Sequence, residues 1–210
     1  MLLRITAGGE VEVRGGVQTT LAEAEGLLRH YANWLLNRLA HRQVKPAAGR
    51  PELLPGTALP FWGEELTLTP MVAADPRRRI LREEHRLMVP TPSWPPEGPR
   101  QALESWYRLR AVELLPPRLA ELAASMGVRH RRTTIRNQRR RWGSCSSLGD
   151  ISLNWRLLWL PPELRDHVLI HELCHLDHPN HGPEFWRQVQ RHDPDCQRRR
   201  NALRRFRSPW

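Results

Sequence analysis

Apolar and polar positions alternate through residues 2–14 on either side of Ala7-Gly8-Gly9, which predicts two short strands joined by a turn. From Leu21 the period lengthens. Leu27, Leu28, Tyr31, Trp34, Leu35 and Leu39 fall along one side of a helix running to about Arg42, with Thr20 as its N-cap. Residues 46–60 are rich in proline and glycine and read as a loop. Short strands are expected near Ala58–Trp62, Glu65–Thr69 and Arg79–Val89, the last doubling back as a hairpin. The stretch Pro90–Pro99 contains five prolines and reads as a connector. Beyond it Leu103, Trp106, Tyr107, Ala111, Leu114 and Leu115 recur at three- and four-residue spacing, the mark of an amphipathic helix. Pro116-Pro117 is expected to kink or restart that helix before it ends near Met126-Gly127. Val128–Arg136, Trp142–Ser146 and Asp150–Leu158 read as strands. Helices are expected to open at Pro161-Pro162, at Gly182-Pro183 and at Asp193-Pro194, because proline suits the first helical turn.

Composition narrows this picture. A chain of 210 residues can hold one ordinary domain, or one domain with a small extra lobe. Forty per cent hydrophobic residues and 9 tryptophans suffice for a real core. The first residues alternate instead of forming the apolar stretch of a signal peptide, and Glu10 and Glu12 interrupt them. No apolar run nears the roughly 18 residues that span a bilayer. The expectation is a soluble, cytoplasmic protein with no membrane partner. Cys145, Cys174 and Cys196 form an odd set without a CxxC pair, which argues against a disulfide framework or a cysteine-rich zinc finger.

The formal net charge is +11, and of 33 basic residues only Lys45 is a lysine. Seven arginines fall between Arg129 and Arg141, and six between Arg198 and Arg207. Such clusters read either as an electrostatic footprint for nucleic acid or as an arginine-rich surface that water solvates.

The candidate chemistry lies in His171-Glu172-Leu173-Cys174-His175, followed by His181. On a helix, residues 171 and 175 differ by about 400° of rotation and stack on one face with Cβ atoms roughly 5–6 Å apart. Both imidazoles can therefore reach one metal ion. Glu172, turned about 100° away, falls beside the ion, where a base toward an attacking water belongs. Two histidines leave a tetrahedral zinc short of one protein ligand. His181 is the natural third, because Pro179 lets the chain fold back; His178 and Glu184 are the alternatives. His178 otherwise suits a position facing substrate or supporting a ligand. His167 extends the row 167, 171, 175, but three turns span about 12 Å, too far for one ion, so it is expected to support the ligands or to be buried. Cys174 sits opposite the metal face as a small apolar residue.

Arg141-Trp142-Gly143-Ser144-Cys145-Ser146, then Ile151–Leu157, then the His171–His175 helix with His181, then Phe185-Trp186 resemble the YgjP-like metallopeptidase family, which is related to the SprT-like and Spartan zinc proteases. The resemblance covers about residues 101–207, and Gly182–Phe185 is similar to the Spartan branch. It implies an α+β fold: a small zincin-like metalloprotease domain over 96–210, helices on a short, mainly antiparallel sheet. A mixed strand-and-helix lobe with its proline-rich connector would precede it over 1–95. It also implies one zinc held by His171, His175 and His181, with Glu172 as the catalytic base.

Peptide hydrolysis follows from such a site, since a base beside a Lewis acid activates water against a carbonyl. His178 or an arginine from 136–141 could stabilise the oxyanion. Asn154 and Trp155, on the strand before the motif helix, are expected to border the cleft and contact an extended substrate, or else to cap a turn and pack the core. The leading expectation is a peptidase acting on proteins or peptides, with a variant recruited to DNA-associated proteins by its basic surface. A hydrolase of a non-peptide bond such as a nucleotide's is a second class, although one metal without a carboxylate-rich site suits it poorly. A non-catalytic zinc module that binds nucleic acid is a third, and it would have no need of Glu172.

Overall fold

The structure, a computed structural model, describes residues 2–5, 11–14, 16, 19–30, 32, 53–71, 79–90 and 99–209. The chain divides into two compact units, Met1–Arg50 and Pro51–Trp210. In the first, β1 (Leu2–Ile5) and β2 (Val11–Arg14) pair antiparallel, Leu2 opposite Arg14 and Ile5 opposite Val11. Helix α1 (Leu21–His30) starts at Thr20, as the sequence predicts, and the cap is reciprocal. The Thr20 amide donates to Glu23 Oε2 at 2.8 Å while the Thr20 hydroxyl oxygen accepts from the Glu23 amide at 3.4 Å. The turn expected at Ala7–Gly9 and the helical stretch expected from residue 33 to 42 lie outside the described residues.

Among its described residues the second unit carries two mixed sheets, in which antiparallel pairs outnumber parallel ones, and four α-helices, an α+β arrangement. β3 (Ala58–Phe61), β4 (Glu64–Met71), β5 (Leu81–Glu83) and β6 (Arg86–Pro90) form a sheet in the order β3-β4-β6-β5, with β4 and β6 parallel. β7 (Arg132–Arg136), β8 (Gly143–Cys145) and β9 (Asp150–Asn154) form the other, in the order β7-β9-β8. Helix α2 (Arg100–Met126) runs unbroken through Pro116 and Pro117, where a kink or restart was expected, and stops at Gly127, whose φ of 72° is the left-handed conformation a glycine adopts freely. Its buried face, Leu103, Tyr107, Leu115 and Leu119, matches the sequence period.

The strand expected over 150–158 is shorter. After Asn154 the chain turns into a 3₁₀ helix (Trp155–Trp159), because the Asn154 side chain accepts from the Arg156 amide and caps it. Helix α3 (Pro162–Cys174) then carries the motif, followed by α4 (Pro183–His192) and α5 (Cys196–Arg205). The motif helix ends at His175 itself, before Pro179.

Leu59, Leu66 and Leu87 of the four-stranded sheet, Tyr107 and Leu115 of α2, Trp155 and Trp159 of the 3₁₀ helix, and Leu169 and Leu173 of α3 belong to one hydrophobic core. The Tyr107 hydroxyl donates to the Pro60 carbonyl at 2.8 Å, and Arg118 pairs with Asp166 at 2.7 Å, tying α2 to β3 and to α3. This core reaches across the boundary expected near residue 95. Strands 58–90 lack enough apolar surface of their own and complete their burial against α2 and the 3₁₀ helix; the connector residues 91–98 lie outside the described residues. No helix among the described residues is long and apolar enough to cross a membrane.

Candidate metal centre

Helix α3 is buried along Leu164, Val168, Leu169 and Leu173, which fixes its rotation about its own axis. That rotation turns His171 and His175 into a cleft beside β8. His175 closes the helix in right-handed helical geometry, φ −69° and ψ −13°, so the one-turn spacing of the two rings survives the helix end. The chain then reverses through residues 175–178, with the His178 amide donating to the Cys174 carbonyl at 3.0 Å. His181 thereby returns to the same cleft.

One nitrogen from each of His171, His175 and His181 lies within 4.8 Å of the others. A tetrahedral zinc with bonds of about 2.0–2.1 Å sets neighbouring ligand nitrogens roughly 3.3 Å apart. His181 Nε2 and His171 Nε2 are 3.1 Å apart, close to that edge. His175 donates its Nδ1 hydrogen to the His178 carbonyl at 3.0 Å, which leaves Nε2 as the lone-pair nitrogen for an ion. The residues therefore fit a zinc-sized ion. His178 contributes to the site through its backbone. Glu184 is exposed and paired with Arg187, away from any ligand role.

Phe185, fully buried on α4, braces all three rings. It stacks on His175 at 4.5 Å between centroids and meets His171 and His181 edge-on at 4.9 and 4.7 Å. Burial, followed by the neighbouring histidines, pushes His171 down to about 3, which keeps its ring neutral, the form in which an imidazole can bind a metal. Burial, then His175, also lowers His181.

Glu172 is only 5% exposed. Its carboxylate lies against Gly143 of β8, where an added Cβ would come within 2.7 Å of Oε1. Burial raises Glu172 to about 7, against an opposing pull from the Arg141 charge. Gly143 is thus the residue that lets the carboxylate approach the strand. Gly143→Ala is expected to keep the fold and the histidines while displacing Glu172. A misplacement near 1 Å at a reacting group costs about a hundredfold in rate, so turnover should fall by that order at full metal content. Kinetics with metal analysis on the same sample check it, and an unchanged rate would contradict it.

His167 is buried, and its Nδ1 sits 2.5 Å from Asp193 Oδ2, with Asp193 fully buried and also accepting from Arg199. Its ring centroid is 6.4 Å from that of His171, so it stands behind the ligand instead of joining it. Asp193 gave no sequence signal, since 26 residues separate it from its partner.

Asn154 and Trp155 take the packing roles. Asn154 is 2% exposed and donates both amide hydrogens, to the Gln138 and Arg141 carbonyls at 2.7 and 2.8 Å, which pins the loop leading into β8. Trp155 is fully buried against Tyr107 and Trp159 and donates to Asn137 Oδ1 at 3.1 Å. The expected substrate contact through these two residues is corrected for a further reason. β9 is paired on both edges, by β7 and β8, and has no edge left for a substrate strand. β7 and β8 are the edge strands, and of the two it is β8 that borders the cleft.

Two cavities meet at His171, Glu172 and Gly143. The larger, about 450 Å³, mixes polar and apolar surface and is bordered by Arg141, Ser144, Cys145, His175 and His181. The smaller, about 210 Å³, lies on the other side, toward Trp142, Val168, Trp186, Arg200 and Leu203. Cys174 is buried among Ile170, Phe185 and Val189, and burial raises its thiol to about 12, consistent with a packing residue.

A family model described as YgjP-like, metallopeptidase domain, matches residues 1–206. No curated protein matches the chain. Among solved structures, the metallopeptidase zymogen abylysin of Pyrococcus abyssi is 26% identical over 40% of this chain and 87% of its own, with a TM-score of 0.38. The zymogen jannalysin of Methanocaldococcus jannaschii is 19% identical over 41% of this chain and 90% of its own, with a TM-score of 0.38.

Proposed function

The chain belongs to the YgjP-like metallopeptidase family, and we propose that it is a zinc peptidase holding one ion through His171, His175 and His181, with Glu172 as its base. The observation that carries this reading is the convergence of three imidazole nitrogens within 4.8 Å beside a nearly buried carboxylate. Zinc bound there would supply a Lewis acid and lower the pKa of a coordinated water to about 7.

The protein's own groups do the rest. Glu172 takes the proton of the attacking water and hands it to the leaving amine, for which burial has raised its proton affinity toward neutrality. Arg141 borders the larger cavity and its charge reaches Glu172, so it is better placed than the His178 ring to stabilise a developing oxyanion. The free edge of β8 can pair with an extended peptide, whose main-chain bonds would align the scissile carbonyl over the histidines. All three cysteines are free, which fits a reducing compartment such as the cytoplasm. The test is cleavage of unfolded protein and quenched peptides: activity lost on chelation and restored by zinc is expected. Full zinc occupancy without cleavage of any peptide bond would leave the hydrolase of another bond as the reading.

A second element of the proposal concerns where the substrate is found. Arg136, Arg139 and Arg140 are exposed, and among the described residues they have no carboxylate partner, whereas Arg131 and Arg132 share Asp150. Unpaired arginines near the entrance loop favour weak, sequence-independent binding of nucleic acid and action on proteins associated with it. Log affinity for duplex DNA should fall against log salt with a slope of about 0.9 per phosphate contact. Five or six contacts would cost on the order of a thousandfold between roughly 50 and 200 mM salt. A flat salt dependence would return these arginines to surface solvation.

A further inference from the structure

Arg200 is the cation that the proposed chemistry leaves unused. It projects from α5, half-buried, and among the described residues no carboxylate pairs with it, although its helix neighbours Arg198 and Arg199 are both paired. Its guanidinium instead lies 4.6 Å from the centre of the Trp186 ring, and Trp186 in turn stacks on His181 at 5.9 Å and 30°. This column sets a positive charge beside the histidine cluster, with Arg200 and His171 on the wall of one cavity. Holding a cation next to a cation site is unfavourable by itself, so the arrangement makes sense when an anion sits between them.

The smaller cavity supplies the place for that anion. Its volume of about 210 Å³ suits one side chain, and Arg200 borders it together with His171 and Glu172. Trp142, Val168 and Leu203 give it apolar walls that a methylene stem can fill. His167 borders it too, and its Nδ1 is held by Asp193, so its ring is fixed. The Asp193 carboxylate itself is taken by His167 and Arg199 and leaves the Arg200 charge unneutralised.

We propose that this cavity is a specificity subsite in which Arg200 binds a carboxylate of the substrate next to the scissile bond, either an acidic side chain or the free C-terminus of a peptide. The proposal rests on the peptidase reading above. A guanidinium with a free fork and an aromatic backing matches a carboxylate in bidentate geometry, and the apolar walls favour a carboxylate on a short stem over a bare phosphate. The net charge of +11 would also speed the approach of acidic peptides.

The test compares peptides that differ only beside the cleavage site, with Glu, Gln, Leu or Lys there, each as C-terminal acid and amide, on the zinc-loaded chain. The expected result is a preference in kcat/KM for the carboxylate-bearing peptide of roughly ten- to a hundredfold, the range of a charge-assisted hydrogen bond. Arg200→Gln should collapse that preference, and Arg200→Glu should turn it toward Lys. A preference for Glu in both acid and amide forms identifies the side chain as the source; one that follows the acid form identifies the C-terminus. Equal rates for Glu and Gln peptides together with equal rates for the acid and amide forms, or a preference that survives Arg200→Gln, would overturn the subsite. If the zinc-loaded chain cleaves no peptide, the peptidase reading fails separately. The subsite is then decided by polarisation binding of the labelled Glu and Gln peptides, each as acid and amide, to the Glu172→Gln chain, with and without Arg200→Gln. An oligonucleotide that displaces the Glu peptide only while Arg200 is present would reassign the cavity to phosphate and overturn the proposal.

Discussion

Glu172→Gln is expected to keep the fold and a full complement of zinc while lowering peptide turnover by at least about 10²- to 10⁴-fold, the usual contribution of a positioned general base. The substitution is nearly isosteric, so the carboxamide can occupy the same slot against Gly143, but it cannot accept a proton. The buried position of Glu172 gives a second readout in the metal-free chain. Burial raises the carboxyl from 4.5 to about 7, so the folded state holds the proton more tightly than the unfolded state does. That contribution is complete below pH 4.5 and is lost as pH rises through 7. Gln never ionises. The metal-free Glu172→Gln chain should therefore exceed the wild-type chain in stability at pH 8 by on the order of 3 kcal/mol and show no such advantage near pH 4. Denaturant melts at the two pH values check it, and an equal difference at both would contradict the buried, desolvated carboxyl. Turnover near the wild-type level would contradict the base.

His171→Ala is expected to act differently, by removing the metal. His171 stands beside both other members of the cluster: its centroid lies 4.9 Å from that of His175 and 5.0 Å from that of His181, which are themselves 4.7 Å apart. Without it, two of the three protein nitrogens remain, and the protein fills only half of the four tetrahedral positions. Loss of an outer partner that merely orients a ligand costs about 10–100-fold in affinity, so loss of the ligand itself should exceed about 100-fold. Zinc analysis after dialysis against a weak chelator should find the variant empty and the wild-type chain loaded. Retention of stoichiometric zinc would shift the site to other residues.

The periodic features were readable from the chain. The α2 face, the cap at Thr20, the hairpin of β5 and β6 and the one-turn pair His171 and His175 all follow from spacing, because local geometry alone decides them. The reciprocal half of the cap, Glu23, stands three residues after Thr20 and belongs to the same local pattern. What spacing cannot reveal is which edge of a sheet stays open. Asn154 ends β9 and Trp155 opens the 3₁₀ helix that follows it, and only the order β7-β9-β8 turns that strand inward and makes β8 the border of the cleft. Proline is a poor helix residue in general, yet Pro116 and Pro117 are carried within α2, whose buried face packs into the core on both sides of them.

The same limit applies to the partners of the site. Gly143, Asp193 and Arg200 reach Glu172, His167 and Trp186 only through tertiary packing, and no periodicity joins them. The arginine clusters show how composition can blur a role. Arg131 and Arg132 neutralise Asp150, Arg199 neutralises Asp193, and Arg200 has no carboxylate partner among the described residues, although all belong to runs that read alike in sequence.

The central claim is a three-histidine zinc site with an open fourth position, and X-ray absorption at the zinc edge of the metal-loaded protein in solution tests it most directly. The account predicts three imidazole nitrogens and one water oxygen at about 2.0–2.2 Å, with no sulfur. A scatterer near 2.3 Å, as Cys145 would give from the wall of the larger cavity, or a fourth protein ligand closing the shell, would contradict it.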